Sequence, residues 1–230
     1  MIFTDGELHL MEEITPASKS RLIAVSEESV ALTEEIFLAL VGLRRSSPVR
    51  SGRSLASGLQ NAFEFVCLVA DRVIVLNSRG ELVQDSHPAD AYDTPQSVEA
   101  ATLTGLASVV RATVTNVFGH SIEVRSLSGV HLQTRWSQNG VVAHCGQAVD
   151  VVIRPDWGQV MLAPDPSKGG AIAAVVTRAV RLGSHTYVRC RLGEDEILLE
   201  HGYTDNIPID RTVWIDLRAD KMMSFPQTHR

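Results

Sequence analysis

A short phrase occurs twice in this chain. Residues 149–156 read VDVVIRPD and residues 213–220 read VWIDLRAD, an offset of 64 positions. Val149, Val151, Ile153, Arg154 and Asp156 match Val213, Ile215, Leu217, Arg218 and Asp220. Every second residue is apolar, the period of a strand with one buried face, and each copy stops at an Arg-x-Asp turn. Two such units in one polypeptide predict a duplicated small β-barrel rather than an enzyme core. Val151 and Ile215 should then be equivalent and buried, with Asp150 and Trp214 on the opposite face.

With 230 residues, of which 44% are hydrophobic, the chain can bury one large core or two small ones. No run of about 18 uncharged apolar residues predicts a membrane span. Asp5, Glu7, Glu12 and Glu13 stand where a signal peptide would be basic. Cys67, Cys145 and Cys190 are an odd number without a C-x-x-C, in apolar or strand-like surroundings. Reduced thiols in a cytoplasmic protein are the expectation. A net charge of −6 gives no general reason to bind nucleic acid or an anionic membrane surface, and no direct membrane insertion is expected.

Three segments follow from the pattern. Residues 1–59 remain unassigned as a fold. Ser29–Leu43 suits an amphipathic helix, with Glu27, Glu28, Glu34 and Glu35 at its start or wet side. Arg44–Gly58 reads as a linker rich in Arg, Ser and Gly, with phosphate or lipid contact as the alternative. Residues 60–106 are the second segment. Phe63–Val69 reads as a short helix, and Asp71–Asn77 as a strand that turns at Ser78-Arg79-Gly80 and returns over Glu81–Gln84. His87-Pro88 opens one short helix, and Pro95–Leu103 is another, closed by Gly105. Residues 107–230 are the third. Ser108–Val117, Ser121–Ser126, Val130–Trp136, Ala148–Arg154 and Val160–Leu162 are expected as one β unit. Ala171–Arg181, Thr186–Leu192, Glu196–Glu200 and Thr212–Leu217 are expected as another, joined through residues 164–170.

The middle segment resembles the end of the ATPase domain in the ATP-binding subunit of ABC importers of the sugar, polyamine and ferric-ion type. The residues that carry this are Ala70-Asp71-Arg72, Val73-Ile74-Val75-Leu76 and Gly80-Glu81-Leu82-Val83-Gln84. Pro88-Ala89-Asp90-Ala91-Tyr92-Asp93-Thr94-Pro95 and Leu103-Thr104-Gly105 follow in the family's order. Residues from about Ala107 to Phe225 are similar to that family's TOBE domain, through Ile153-Arg154-Pro155-Asp156 and Arg181-Leu182-Gly183-Ser184-His185-Thr186. The resemblance implies a mainly β fold: tandem OB-like small barrels after a short α/β remnant of an ABC ATPase domain. It also implies subunit contact and regulation at the cytosolic side.

Departures from the family limit the chemistry. ATP and magnesium serve the family, but a phosphate loop G-x-x-x-x-G-K-S/T occurs nowhere in this sequence. The magnesium-holding acidic strand end is missing, and Asn61 stands where the switch histidine is expected. Ser54–Gln60 matches the LSGGQ signature only faintly, without its paired glycines. No cofactor and no metal site are therefore expected. The eight histidines show no ligand spacing, and His144-Cys145 lacks further ligands. Ser184-His185 lacks the context of a nucleophile elbow. Arg154, Asp156, Arg218 and Asp220 are read as turn-fixing pairs, with anion binding as the sharper alternative. Arg125, Arg135, Arg189 and Arg191 fall on polar strand positions, but an acidic chain with few aromatics is a poor nucleic-acid binder.

The reading is a regulatory and subunit-contact region, truncated or degenerate, without its own hydrolysis motifs. Its expected partners are an importer permease and a full-length ATP-binding subunit, or a second copy by self-association. Val66, Leu68, Val73 and Val75, deprived of their covering sheet, would drive that association. A stand-alone barrel binding a small oxyanion or sugar is the alternative.

Overall fold

The computed structural model describes residues 22–25, 54–57, 72–76, 81–137, 141–165, 170–182, 185–202 and 207–227. The chain divides into two compact units, Met1–Leu106 and Ala107–Arg230.

The first unit holds a sheet of β1 (Leu22–Val25), β2 (Ser54–Ser57), β3 (Arg72–Leu76) and β4 (Leu82–Ser86) in the order β2-β1-β3-β4. β1 runs parallel to both β2 and β3, while β4 returns antiparallel to β3. Parallel neighbours need connections of a dozen or more residues, and the intervals 26–53 and 58–71 are long enough. Ser54–Ser57 is therefore a strand, not part of a linker. A four-residue run flanked by Ser, Gly and Arg carries too few positions for its period to be read. The expected helices over Ser29–Leu43 and Phe63–Val69 lie outside the described residues.

Among its described residues this unit also holds two short helices, α1 (Pro88–Asp93) and α2 (Val98–Leu103). Val73, Ile74 and Val75 are buried in succession, as befits a strand covered on both faces. Val73 and Val75 pack with Ala91, Ala100 and Leu103, with Val83 and Tyr92 at the margin. The expectation that Val73 and Val75 would lie exposed is thus corrected: α1 and α2 cover them. Val66 and Leu68 lie outside the described residues.

Among its described residues the second unit is β apart from one 3-10 turn. β5 (Ser108–Phe118), β6 (Ser121–Ser126), β7 (His131–Trp136) and β8 (Ala148–Ile153) lead through a 3-10 turn to β9 (Gly158–Met161). β10 (Ile172–Leu182), β11 (His185–Leu192), β12 (Asp195–Gly202), β13 (Thr212–Leu217) and β14 (Met223–Pro226) follow. The first residues of β5, β6, β7 and β8 lie 64 positions before those of β10, β11, β12 and β13. The duplication therefore covers the whole unit, not only the phrase that announced it.

The halves exchange their last strands. β9 was expected in the first β unit, but it pairs with β13, in a sheet ordered β12-β11-β10-β13-β9. β14, which the sequence did not announce, closes the barrel β14-β7-β6-β5-β8. The two exchanges are equivalent residue by residue. Trp214↔Met161, Ile215↔Val160 and Asp216↔Gln159 become Asp150↔Phe225, Val151↔Ser224 and Val152↔Met223 when each residue moves 64 positions towards the other half. Ile172 lies opposite Ile215, whereas Ser108 lies opposite Ile153, a slip of two residues between the halves. An even slip preserves which face is buried.

Val151 and Ile215 are fully buried in one core that spans both halves, and Asp150 and Trp214 are half-buried on the other face. The special backbone positions repeat as well. Gly129 and Gly193 have φ of 83° and 64°, and Gly146 and Asp210 have φ of 85° and 61°. Each half also carries a bulge in its first hairpin, at Thr115 and at Thr177. Both threonine hydroxyls donate across it, to Glu123 O at 3.1 Å and to Arg189 O at 3.3 Å.

Candidate functional site

In the first unit, the residues behind the family resemblance hold the scaffold. Arg72 Nε donates to Asp85 Oδ1 at 2.6 Å, and this hydrogen bond raises the pKa of the guanidinium. Gln84 is buried and straps the link between the helices: its Oε1 accepts from Gln96 N at 3.0 Å, and its Nε2 donates to Ser86 Oγ at 3.1 Å. His87 caps α1 by accepting from Ala89 N, with Pro88 at the first helical position. Thr104, also buried, donates to Ala91 O and Ala100 O at 3.0 and 2.7 Å, tying α1 to α2.

The repeated turns lie where the chain crosses between halves. Arg154 enters a 3-10 turn, Pro155–Trp157, that leads into β9; Arg218 enters the turn that leads to β14. Arg218 N donates to Trp157 O at 2.8 Å, so the two turns meet. Their side chains differ. Arg154 is fully buried, its guanidinium carbon 5.6 Å from the centre of the equally buried Trp157 ring. Arg218 is exposed and donates to Asp220 Oδ2 at 3.1 Å. That hydrogen bond is the main reason the Asp220 carboxyl titrates below the ordinary range. Asp156, the counterpart of Asp220, is exposed. Of the four residues, the structure brings Arg218 and Asp220 into contact and places Arg154 inside the fold.

The halves are locked by residues that carried no sequence signal. Ser128, in the β6–β7 turn, donates to Asp195 Oδ2 at 2.8 Å and accepts from Glu194 N at 2.9 Å. Ser108 Oγ accepts from Leu198 N at 2.9 Å, satisfying an amide on the edge strand β12. A Cβ on Gly158 would lie 2.8 Å from Leu217 Cδ2 and 2.9 Å from Leu199 Cδ2. Single serines and glycines have no period.

No group of three or more His, Cys, Asp or Glu is arranged to hold a metal among the described residues. His144 and Cys145 are exposed in the β7–β8 connection, where Cys145 Sγ donates to Thr115 O, so Cys145 lies outside the apolar setting expected for it. Burial pushes the Cys190 thiol up to about 11, away from reactive thiolate. His185 pairs with Glu200 on the neighbouring strand. Arg125, Arg135, Arg189 and Arg191 are exposed, whereas Trp136 and Trp157 are buried and offer no stacking platform. No helix among the described residues is long and apolar enough to cross a membrane.

Residues 151–225 match the family model described as the TOBE domain. The chain is 30% identical over 137 residues to the spermidine/putrescine import ATP-binding protein PotA of Rubrobacter xylanophilus, covering 60% of this chain and 35% of the relative. It is 32% identical over 117 residues to the ferric-ion import ATP-binding protein FbpC 1 of Rhizobium meliloti, covering 51% and 30%. It is 28% identical over 161 residues to the sulfate/thiosulfate import ATP-binding protein CysA of Thermosynechococcus vestitus, covering 69% and 40%. The chain thus spans less than half the length of these relatives and is similar to the C-terminal part of ABC importer ATP-binding subunits. Among solved structures, the cytoplasmic molybdate-binding protein ModG overlaps 52% of this chain and 95% of its own, at 13% identity and a TM-score of 0.43.

Proposed function

We propose that this chain acts as the subunit-contact and regulatory region of an ABC importer's ATP-binding subunit. The observation that carries the reading is the TOBE match over 151–225, which begins in β8 and ends in β14 and so contains both exchanged strands. The first unit supports it, because Arg72, Gln84, His87 and Thr104 serve there as struts, the role a retained scaffold requires. The three relatives are named for three different cargoes, so the reading is one of solute import as a class. Its partners are a permease and an ATP-binding subunit, at the inner face of the plasma membrane. ATP hydrolysis is not assigned to the chain, because the phosphate-loop string is absent from its sequence.

Co-expression with a candidate permease and ATP-binding subunit, followed by affinity purification from detergent, tests the reading. Retention of the chain at fixed stoichiometry is expected. Full separation of the chain from both partners, with a melting temperature raised by a small oxyanion or sugar instead, would favour a stand-alone ligand-binding barrel.

A further inference from the structure

The two halves differ sharply in charge at the first rung beyond each bulge. In the first half this rung sets Asn116 opposite Glu123, and Asn116 Nδ2 donates to Glu123 Oε2 at 2.7 Å. In the second half it sets Arg178 opposite Arg189. Like charges directly opposite in an antiparallel ladder, with Cβ atoms about 5 Å apart, destabilise the pair. Arg191 stands two residues further along β11 on the same face, and all three arginines are exposed. Glu196 lies among them, opposite Arg191 on β12; it pairs with Arg189 at 3.4 Å and also accepts from Thr177 Oγ1, while Glu200 on the same face pairs with His185. Three guanidiniums thus gather on one face of this sheet, in a chain whose net charge is −6. The positions 64 residues earlier are Val114 and Arg125, and Arg125 lies opposite Thr113, so the repeated hairpin does not require two facing arginines.

We propose that the face formed by Arg178, Arg189 and Arg191 docks an acidic segment of a partner polypeptide. Guanidinium forks bind carboxylates bidentately and keep their charge at any physiological pH. Alternate residues of an extended segment repeat at about 7 Å, and Arg189 and Arg191 stand at that same interval on β11. This match of spacing favours a polypeptide over a lipid surface or a free phosphate. The inference goes beyond the importer reading and does not depend on it.

Anisotropy of a labelled hexaglutamate peptide, titrated with the full chain at about 50 mM salt, tests it. Saturable binding that weakens with added salt is expected. Arg178→Asn should weaken binding about tenfold while the melting temperature holds or rises. Arg191→Gln should give a second, independent loss, and Arg125→Gln on the first half should leave the affinity unchanged. Absence of binding, or affinity unchanged from the parent in both Arg178→Asn and Arg191→Gln, would overturn the proposal. So would a fall in melting temperature for Arg178→Asn, which would mark a structural role. Tighter Arg178-dependent binding to anionic vesicles or to pyrophosphate would replace the acidic segment with those ligands and would overturn it too.

Discussion

The closed barrel and its companion sheet share one plan and complete it by different means. In the barrel, β14 pairs antiparallel with β8 and parallel with β7, and Arg135 N donates to Met222 O at 2.9 Å as the seam begins. In the companion sheet, β9 pairs with β13, but no ladder joins it to β12 among the described residues. Gly158 occupies the position of Met222, and the side chains of Leu199 and Leu217 press into the space its missing Cβ leaves. The buried Arg154 and Trp157 sit at that junction, where the barrel's equivalents are the exposed Arg218 and the half-buried Lys221. One seam is closed by backbone hydrogen bonds and the other by packed side chains. Strand order alone does not decide closure; the residues at the crossing do.

The largest effect should come from the position the halves treat alike. Val151→Asp and Ile215→Asp each place an unpaired carboxylate in a fully buried site of the common core, at a cost of roughly 3–5 kcal/mol. Because the core is continuous, either variant should melt the second unit in a single transition. Calorimetry that shows one half melting while the other survives would break the picture of one core. Gly158→Ala should come next, at about 1–3 kcal/mol, since the new Cβ meets two leucine methyls below 3 Å. Met222→Ala, at the equivalent position, deletes side-chain atoms instead and should open a cavity rather than a clash. If both variants behave alike in denaturant titrations, the two seams are not closed differently.

Much of this architecture could be read from alternation alone. Ser121–Ser126 and Thr212–Leu217 were read with their observed bounds, and Val151 and Ile215 as buried equivalents, because one face of each strand is apolar and the other polar. Alternation reports which face is buried, but not which sheet a strand joins. β9 was therefore assigned to the wrong half. β14 was missed because Met223–Pro226 has only four residues, too few for a period to be read, and its polar Ser224 is buried with its neighbours. The repeated arginines were found because they repeat, yet their opposite fates depend on Trp157 and Lys221, which differ between copies. Ser108 and Ser128 act through single hydroxyls set by tertiary contact, which no local pattern encodes.

The tie at Ser108 should be worth less than the core or the seam. Ser108→Ala leaves the edge amide of Leu198 without its protein acceptor and should cost about 1 kcal/mol. Hydrogen exchange at that amide should quicken in the variant; unchanged exchange would mean that water already serves it. Smaller still is the effect of the turn that opens each fourth strand. Asp210 holds a left-handed φ of 61°, where its counterpart Gly146 has 85°. Asp210→Gly should stabilise by about 0.5–1 kcal/mol, and Gly146→Asp should destabilise by a similar amount. A loss of stability in Asp210→Gly would mean that the aspartate side chain contributes more than its backbone strain removes.

The smallest effect belongs to the exposed turn of the second half and depends on pH. The hydrogen bond from Arg218 holds the Asp220 carboxyl below its ordinary value. A depressed folded-state pKa means that the stabilisation is present above the unfolded value, near 4, and is lost as pH falls through the folded one. The parent should therefore be slightly more stable than Asp220→Asn at neutral pH, and the difference should vanish once acidification has carried both states below the Asp220 titration. Both side chains are largely solvent-exposed, so added salt should shrink the neutral-pH difference. Melting temperatures of the two proteins across pH, at low and high salt, measure this directly. A difference that persists in acid would point to the shape of the turn, not to its charge. That result would bring Arg218 closer to Arg154, whose place in the fold comes from burial against an indole.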